Sequence, residues 1–185
     1  MQNNRNPDRR TQRTRHALLS AFVDLALTRG YEAVSARDIA RKANVGRSTF
    51  YLHYASKDEL LKESLKTPSR ALAACVSGEL TPGQLTRLLD HFREQRAVNG
   101  VFFADPIRAL WVKCVATLIE PHLPRHQPRG MRPRVPRSLL ALTIAEMQIA
   151  LITHWTTRKT SVGSDVIGAV LMANTRAMLA AVEPL

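Results

Sequence analysis

Only two cysteines, Cys75 and Cys114, occur in the 185 residues, so a disulfide-stapled scaffold is excluded and reduced structural thiols are the default. A thiol-based sensor would need an exposed thiolate of low pKa, and no neighbouring pattern announces one. Histidines are few as well. His122 and His126 lie close together but have no carboxylate partner, so neither a metal nor any other cofactor is expected. There is no Gly-rich phosphate loop and no paired acid–base constellation, which argues against an enzyme. The longest apolar run is interrupted by Glu146, Gln148 and His154, so no membrane span is expected. No apolar export segment follows the N-terminal arm, and the chain reads as cytoplasmic.

Acidic residues are scarce too, at 15 Asp+Glu against 27 Lys+Arg, for a net charge of +12. Such a balance suits a polyanionic partner. Its distribution is informative. Residues 1–66 carry 13 Lys/Arg against 7 Asp/Glu, and residues 121–137 hold five arginines, five prolines and no acid. The second stretch reads as a loop, because proline removes backbone donors and blocks helix. It suits a solvated connector, a lid, or a patch for an acidic partner. In the first stretch Arg5, Arg9, Arg10, Arg13 and Arg15 precede the first helical core residue. Residues 1–8 are expected to be disordered alone, forming an arm that can lie along phosphates or enter a minor groove.

The most informative segment is Ser35 to Leu61, SARDIARKANVGRSTFYLHYASKDELL. Before it, Leu18, Phe22, Leu25 and Ala26 form one apolar helical face, and Gly30 supplies a left-handed stop. Ser35 and Asp38 make a capping box for a helix over about 36–43. Asn44-Val45-Gly46 is the turn, with Asn tolerating the left-handed region and Val45 able to fill the space between helices. The next helix opens at Gly46 or Arg47 and runs to about Tyr54. Ser56 to Glu59 is a second capping box. The pattern is a helix-turn-helix.

Within the second short helix, Phe50 and Tyr54 are four apart and should face the core. Arg47, Ser48, Tyr51 and Leu52 then point outward. Arg suits a bidentate contact to guanine, Ser a base edge or phosphate, and Tyr and Leu a thymine methyl. Arg37, Thr49, His53 and Lys57 are better suited to phosphates and to fixing register. A small helical hairpin with a solvated basic face is the plainer alternative. Two capping boxes, the turn and an outward Tyr together favour DNA.

Gly30-Tyr31, Val34-Ser35, Asp38-Ile39-Ala40, Ala43, Val45, Ser48-Thr49-Phe50-Tyr51, His53-Tyr54 and Ser56 to Leu60 resemble the signature of TetR-family transcriptional regulators. The resemblance covers about residues 12–66. It departs at the turn, where Asn44 stands in place of a frequent Gly and Gly46 in place of a frequent Ser, removing a phosphate-bonding hydroxyl. It implies an all-α protein, with an N-terminal three-helix helix-turn-helix domain followed by a helical ligand-binding and dimerisation domain. By the same match, Arg37, Arg47, Ser48, Thr49, Tyr51, Leu52, His53 and Lys57 occupy positions that meet DNA. Effector binding would move the DNA-reading heads through residues 57–75.

The expected division is residues 1–56 for the arm and DNA-binding head, and 57–185 for the helical domain with loop 121–137. Helices are predicted from Thr81-Pro82 to about Asn99, from Asp105-Pro106 to before Pro121, over about 137–158, and over 164–182. Pro68 should end or kink the preceding helix near Lys66. The last two helices carry apolar residues at helical spacing, Ile144, Met147, Leu151 and Trp155 on one, and Val166, Val170, Ala173, Ala177 and Ala180 on the other. They suggest a homodimer through a four-helix interface. Phe102, Phe103, Trp111, Met147, His154 and Trp155 are candidates to line a pocket, although each also reads as ordinary core. His154 is a potential partner for a buried indole N–H. The absence of a charged cluster in these helices favours a small, largely apolar effector. The reading is thus a dimeric repressor of a palindromic operator, and the alternative is a protein-interaction module with a vestigial head.

Overall fold

The computed structural model describes residues 6–94, 103–123, 135–158 and 160–181, with side chains from Arg9 onward. The described residues are all-α. In chain order the helices are α1 (Asn6–Arg29), α2 (Ala36–Lys42), α3 (Arg47–His53), α4 (Lys57–Ser77), α5 (Pro82–Glu94), α6 (Ile107–Ile119), α7 (Arg137–Thr157) and α8 (Ser164–Ala180). A single 3-10 turn at Glu120–His122 follows α6. Two compact units form, residues 1–64 and 65–185.

The first unit is built as the periodicity requires. Leu18, Phe22 and Ala26 on α1, Ile39 on α2, Phe50 on α3 and Leu60 on α4 are fully buried. Gly30 closes α1 at φ +79°, with its N–H donating to the Ala26 carbonyl at 2.9 Å. Only glycine adopts that region at no steric cost. At the start of α2, the Ser35 hydroxyl accepts from the Asp38 N–H at 3.2 Å, and the Asp38 carboxylate accepts from the Ser35 N–H at 3.3 Å. The Ser35 hydroxyl also donates to the Asp38 carboxylate, and that bond, with the one from the Ser35 N–H, holds the Asp38 carboxyl below the usual carboxylate range, with Arg41 and Arg29 adding to the effect.

Helix α1 begins earlier than the composition suggests. Residues 6–8, expected to be disordered, are its first turn, where Pro7 removes a donor that has no helical acceptor anyway. Residues 1–5 lie outside the described residues. Arg9, Arg10 and Arg13 are therefore exposed on a helix rather than on an extended arm. Arg15 is committed elsewhere, pairing with Glu63 at 3.1 Å and lying 5.7 Å from the centre of the Tyr54 ring.

The second unit packs α6 against α7, α7 against α8, and α5 against α8. Its interior takes Leu72 from α4, Leu85 and Leu89 from α5, Trp111 and Val115 from α6, Ile144, Ile149 and Ile152 from α7, and Leu171 from α8. Helix α5 starts with the predicted box: the Thr81 N–H donates to Gln84 Oε1 at 2.9 Å and the Gln84 N–H to the Thr81 hydroxyl at 3.4 Å. Residues 124–134, most of the Pro/Arg-rich stretch, lie outside the described residues.

One of the two alternatives for Pro68, and the membrane expectation, fail here. Helix α4 does not stop near Lys66 but continues through Pro68 to Ser77. A proline inside a helix forfeits one bond, here from residue 68 to the Ser64 carbonyl, and burial of Leu65, Leu72, Ala73 and Cys75 on the same helix outweighs it. Contrary to the second expectation, α7 is long and apolar enough to cross a membrane by length and composition. Half of that stretch is buried inside the unit, as in the core helix of a packed domain.

Replacing Pro68 with Ala should restore the missing donor and raise stability by about 1–3 kcal/mol, read as a higher urea midpoint. An unchanged or lower midpoint would show that the helix needs the break.

Candidate nucleic-acid interface

Helix α3 is positioned by what precedes and underlies it. Asn44 sits at φ +54°, and α2 ends in two reciprocal bonds, Val45 N–H to the Ala40 carbonyl at 3.0 Å and Asn44 N–H to the Arg41 carbonyl at 3.2 Å. This Schellman arrangement is a sharp stop, and it fixes the direction in which the chain leaves α2. Val45 is half-buried beneath the turn. Gly46 caps α3 with extended backbone at φ −67° and provides no side-chain oxygen.

Phe50 is fully buried and Tyr54 nearly so, their rings 6.2 Å apart. Burial pushes the Tyr54 phenol above its ordinary pKa. With that face fixed, Arg47 and Ser48 are exposed, Tyr51 is 47 % exposed and Leu52 83 % exposed. An 83 % exposed leucine on a seven-residue helix contributes nothing to this unit's core. Arg47 and Tyr51 act together. The guanidinium lies 5.6 Å from the ring centre, and the ring meets Phe50 edge-on at 5.3 Å. The cation is thus held over a platform that the core itself supports.

The flanking residues differ among themselves. Arg37 is exposed, whereas Thr49 and His53 are half-buried beside the strip. Lys57 is more committed than its residue type suggests. Its ammonium donates to the Tyr31 carbonyl at 3.0 Å, sits 4.3 Å from the Tyr31 ring centre and lies 3.9 Å from Glu32. The Tyr31 hydroxyl in turn donates to the Asp58 carboxylate. That hydrogen bond and burial hold the Tyr31 phenol well above its usual range, with burial the larger cause. Lys57 therefore clamps the start of α4 to the α1–α2 turn, a role that only the Tyr31 pairing reveals.

Among the pocket candidates, Phe103 and Trp111 meet directly. Phe102 lies outside the described residues. Phe103 and Trp111 stack at 5.3 Å with planes 28° apart, and Phe92, which the sequence did not single out, joins them at 6.0 and 5.7 Å. Met147 is half-buried and His154 exposed. Trp155 donates its indole N–H to the Val162 carbonyl at 3.0 Å, closing the α7–α8 turn without help from His154. Cys75 is buried and its thiol pushed up to about 12 by desolvation, which removes it as a reactive thiolate. No group of three metal-ligating side chains occurs among the described residues.

Residues 18–64 match the family model for bacterial regulatory proteins, tetR family. An uncharacterized HTH-type transcriptional regulator of Bacillus subtilis, YxbF, is 50% identical over 60 residues. That match covers 32% of this chain and only 16% of the relative's length. The HTH-type transcriptional repressor KstR of Mycobacterium tuberculosis is 27% identical over 161 residues, covering 80% of this chain and 73% of that protein. Among solved structures, a TetR transcriptional regulator from Streptococcus agalactiae superimposes with a TM-score of 0.62 at 24% identity, covering 94% of this chain and 99% of the other. Thermus thermophilus FadR, a TetR-family repressor in complex with lauroyl-CoA, gives 0.55 at 18% identity over 92% and 95%. At these identities the structures show a shared fold.

Lys57→Met keeps an apolar stem over Tyr31 but removes the ammonium. It should lower the stability of the N-terminal unit by about 1–2 kcal/mol, read by thermal or urea unfolding. An unchanged midpoint would show that the clamp holds nothing.

Proposed function

Because residues 18–64 match the family model for bacterial regulatory proteins, tetR family, we propose that this chain is a regulator of that family, a cytoplasmic, sequence-specific transcriptional repressor. In this reading it binds a palindromic operator as a homodimer and is released by a small, largely apolar effector. The observation that carries the proposal is the strip Arg47, Ser48, Tyr51 and Leu52, exposed on a helix whose opposite face is locked by Phe50 and Tyr54. Arg47 and Tyr51 read base edges, Ser48 and Leu52 complete the strip, and Arg37, Thr49 and His53 hold phosphates. Lys57 adds to phosphate binding only with the donors left after Tyr31. Arg9, Arg10 and Arg13, exposed along α1, raise the general attraction for a polyanion.

Two features support the dimer. Val166, Val170, Ala173, Ala177 and Ala180 form an exposed apolar stripe on α8. On α7 the expected face fails, with Ile144 and Trp155 buried in the unit and Met147 and Leu151 half-buried, and Leu139 and Leu142 are the exposed apolar residues. A stripe of this kind is what an isologous helix pair buries, and two heads related by a two-fold would meet successive major grooves about 34 Å apart. The apolar interior of the second unit supports an apolar effector. The runner-up, a protein-interaction module with a vestigial head, would use the same stripe for a different partner.

Arg47→Ala and Tyr51→Ala should each weaken binding to the preferred DNA by about 1–3 kcal/mol and relax base preference. The double variant should lose less than the sum, since Tyr51 supports Arg47. Equal losses on preferred and random DNA would make both residues phosphate contacts. Val170→Glu should convert the dimer to monomer in sedimentation equilibrium, and a dimer that persists would remove α8 from the interface.

A further inference from the structure

The arginines on the first half of α1 are not alike. Arg9, Arg10 and Arg13 are exposed, whereas Arg15 is half-buried. Its guanidinium donates to the Glu63 carboxylate on α4 at 3.1 Å and lies 5.7 Å from the centre of the Tyr54 ring. One side chain on α1 thus meets both α4 and the residue that ends α3.

Tyr54 caps α3, its N–H donating to the Phe50 carbonyl at 2.9 Å, and its side chain is nearly fully buried. Burial raises the phenol and the Arg15 guanidinium opposes that rise, so the cation acts on Tyr54 electrostatically as well as by contact. From Tyr54 the contacts run along α3 to its other end. The Phe50 ring is 6.2 Å from that of Tyr54, Tyr51 meets Phe50 edge-on at 5.3 Å, and the Arg47 guanidinium lies 5.6 Å from the Tyr51 ring. Two cations therefore stand at the ends of one run of three aromatic rings, Arg15 on the side of α4 and Arg47 on the exposed strip.

The energetics separate position from stability. The Arg15 and Glu63 side chains are 44% and 29% exposed, and an ion pair this open adds little to folding stability. What it fixes is geometry, because a planar guanidinium paired on one side can face the ring in few ways. Glu63 precedes Ser64, the last residue of the first unit, on a helix that continues into the second.

We propose that Arg15 is a positioning residue for base reading. Tied to Glu63, it braces Tyr54 and so sets the presentation of Arg47 and Tyr51 without itself touching DNA. A displacement of α4 at Glu63 is then passed to the reading face through Arg15. The plainer role for a basic residue on α1 is a phosphate ligand, and the two roles predict opposite effects of removing Glu63. A phosphate ligand freed of its acid binds all DNA more tightly. A positioning residue that loses its acid leaves the preferred sequence less well distinguished. This inference rests on the base reading by α3 proposed above.

The test is competition binding of the full-length protein on two duplexes over a salt series. One duplex is the sequence recovered by selection from a random pool, the other a random duplex of the same length. Arg15→Met keeps an apolar stem against Tyr54 and removes the charge. It and Glu63→Ala should each lower the ratio of the two affinities by at least about threefold, with the salt slope unchanged. The double variant should lose no more than Arg15→Met alone, since both changes break one link. Arg15→Lys, which still pairs with Glu63 and faces the ring, should keep most of the ratio. Urea midpoints should stay near that of the unaltered protein. An unchanged ratio in Arg15→Met and Glu63→Ala, or a ratio that falls only in step with the urea midpoint, would overturn the assignment. So would equal weakening on both duplexes with a salt slope reduced by roughly one unit, the mark of a phosphate ligand. An unaltered protein with no preference between the duplexes would overturn the base reading and this inference with it. A preference that all the variants retain overturns this inference alone.

Discussion

Burial of Phe50 and Tyr54 on one side of α3 is the constraint from which the rest of the head follows. Two aromatic side chains four residues apart cannot leave the core of so small a unit without losing several kcal/mol of apolar burial. Their burial fixes the rotation of a helix only seven residues long, and that rotation decides which side chains meet solvent. The turn before α3 contributes direction, through Asn44 in the left-handed region and the paired bonds back to Ala40 and Arg41. Neither device touches DNA. Together they fix the face of α3 on which Arg47, Tyr51 and Leu52 stand.

Much of this was legible in the residues, because its causes are local. Ser35 with Asp38, Thr81 with Gln84, Gly30 and Asn44 act within four residues of their own positions, and local chemistry predicts local geometry. The inner and outer faces of α3 follow from a spacing of four. The bounds of α6, α7 and α8 were legible for the same reason. Each lies between a proline or glycine signal and an apolar periodic run.

What the residues did not disclose depended on partners far away in the chain. Pro68 reads as a stop until the burial of Leu72, Ala73 and Cys75 is known, since tertiary packing rather than propensity holds a helix there. Lys57 reads as a phosphate ligand until Tyr31, 26 residues earlier, takes its ammonium. His154 and Trp155 are adjacent in sequence, yet a helix points neighbours about 100° apart. One is therefore exposed, while the other closes the α7–α8 turn at Val162. Phe92 was overlooked because an isolated aromatic near a helix end has no periodic signature. Only Trp111 and Phe103 give it meaning.

The central claim is that the exposed strip of α3 reads sequence rather than charge, and a protein of net charge +12 makes the distinction necessary. Selection of bound molecules from a random double-stranded DNA pool, with purified protein at near-physiological salt, tests it most directly. Recovery of a palindrome with half-sites about one DNA turn apart is the predicted result. Recovery of no motif, with retention that simply fades as salt is raised, would contradict it.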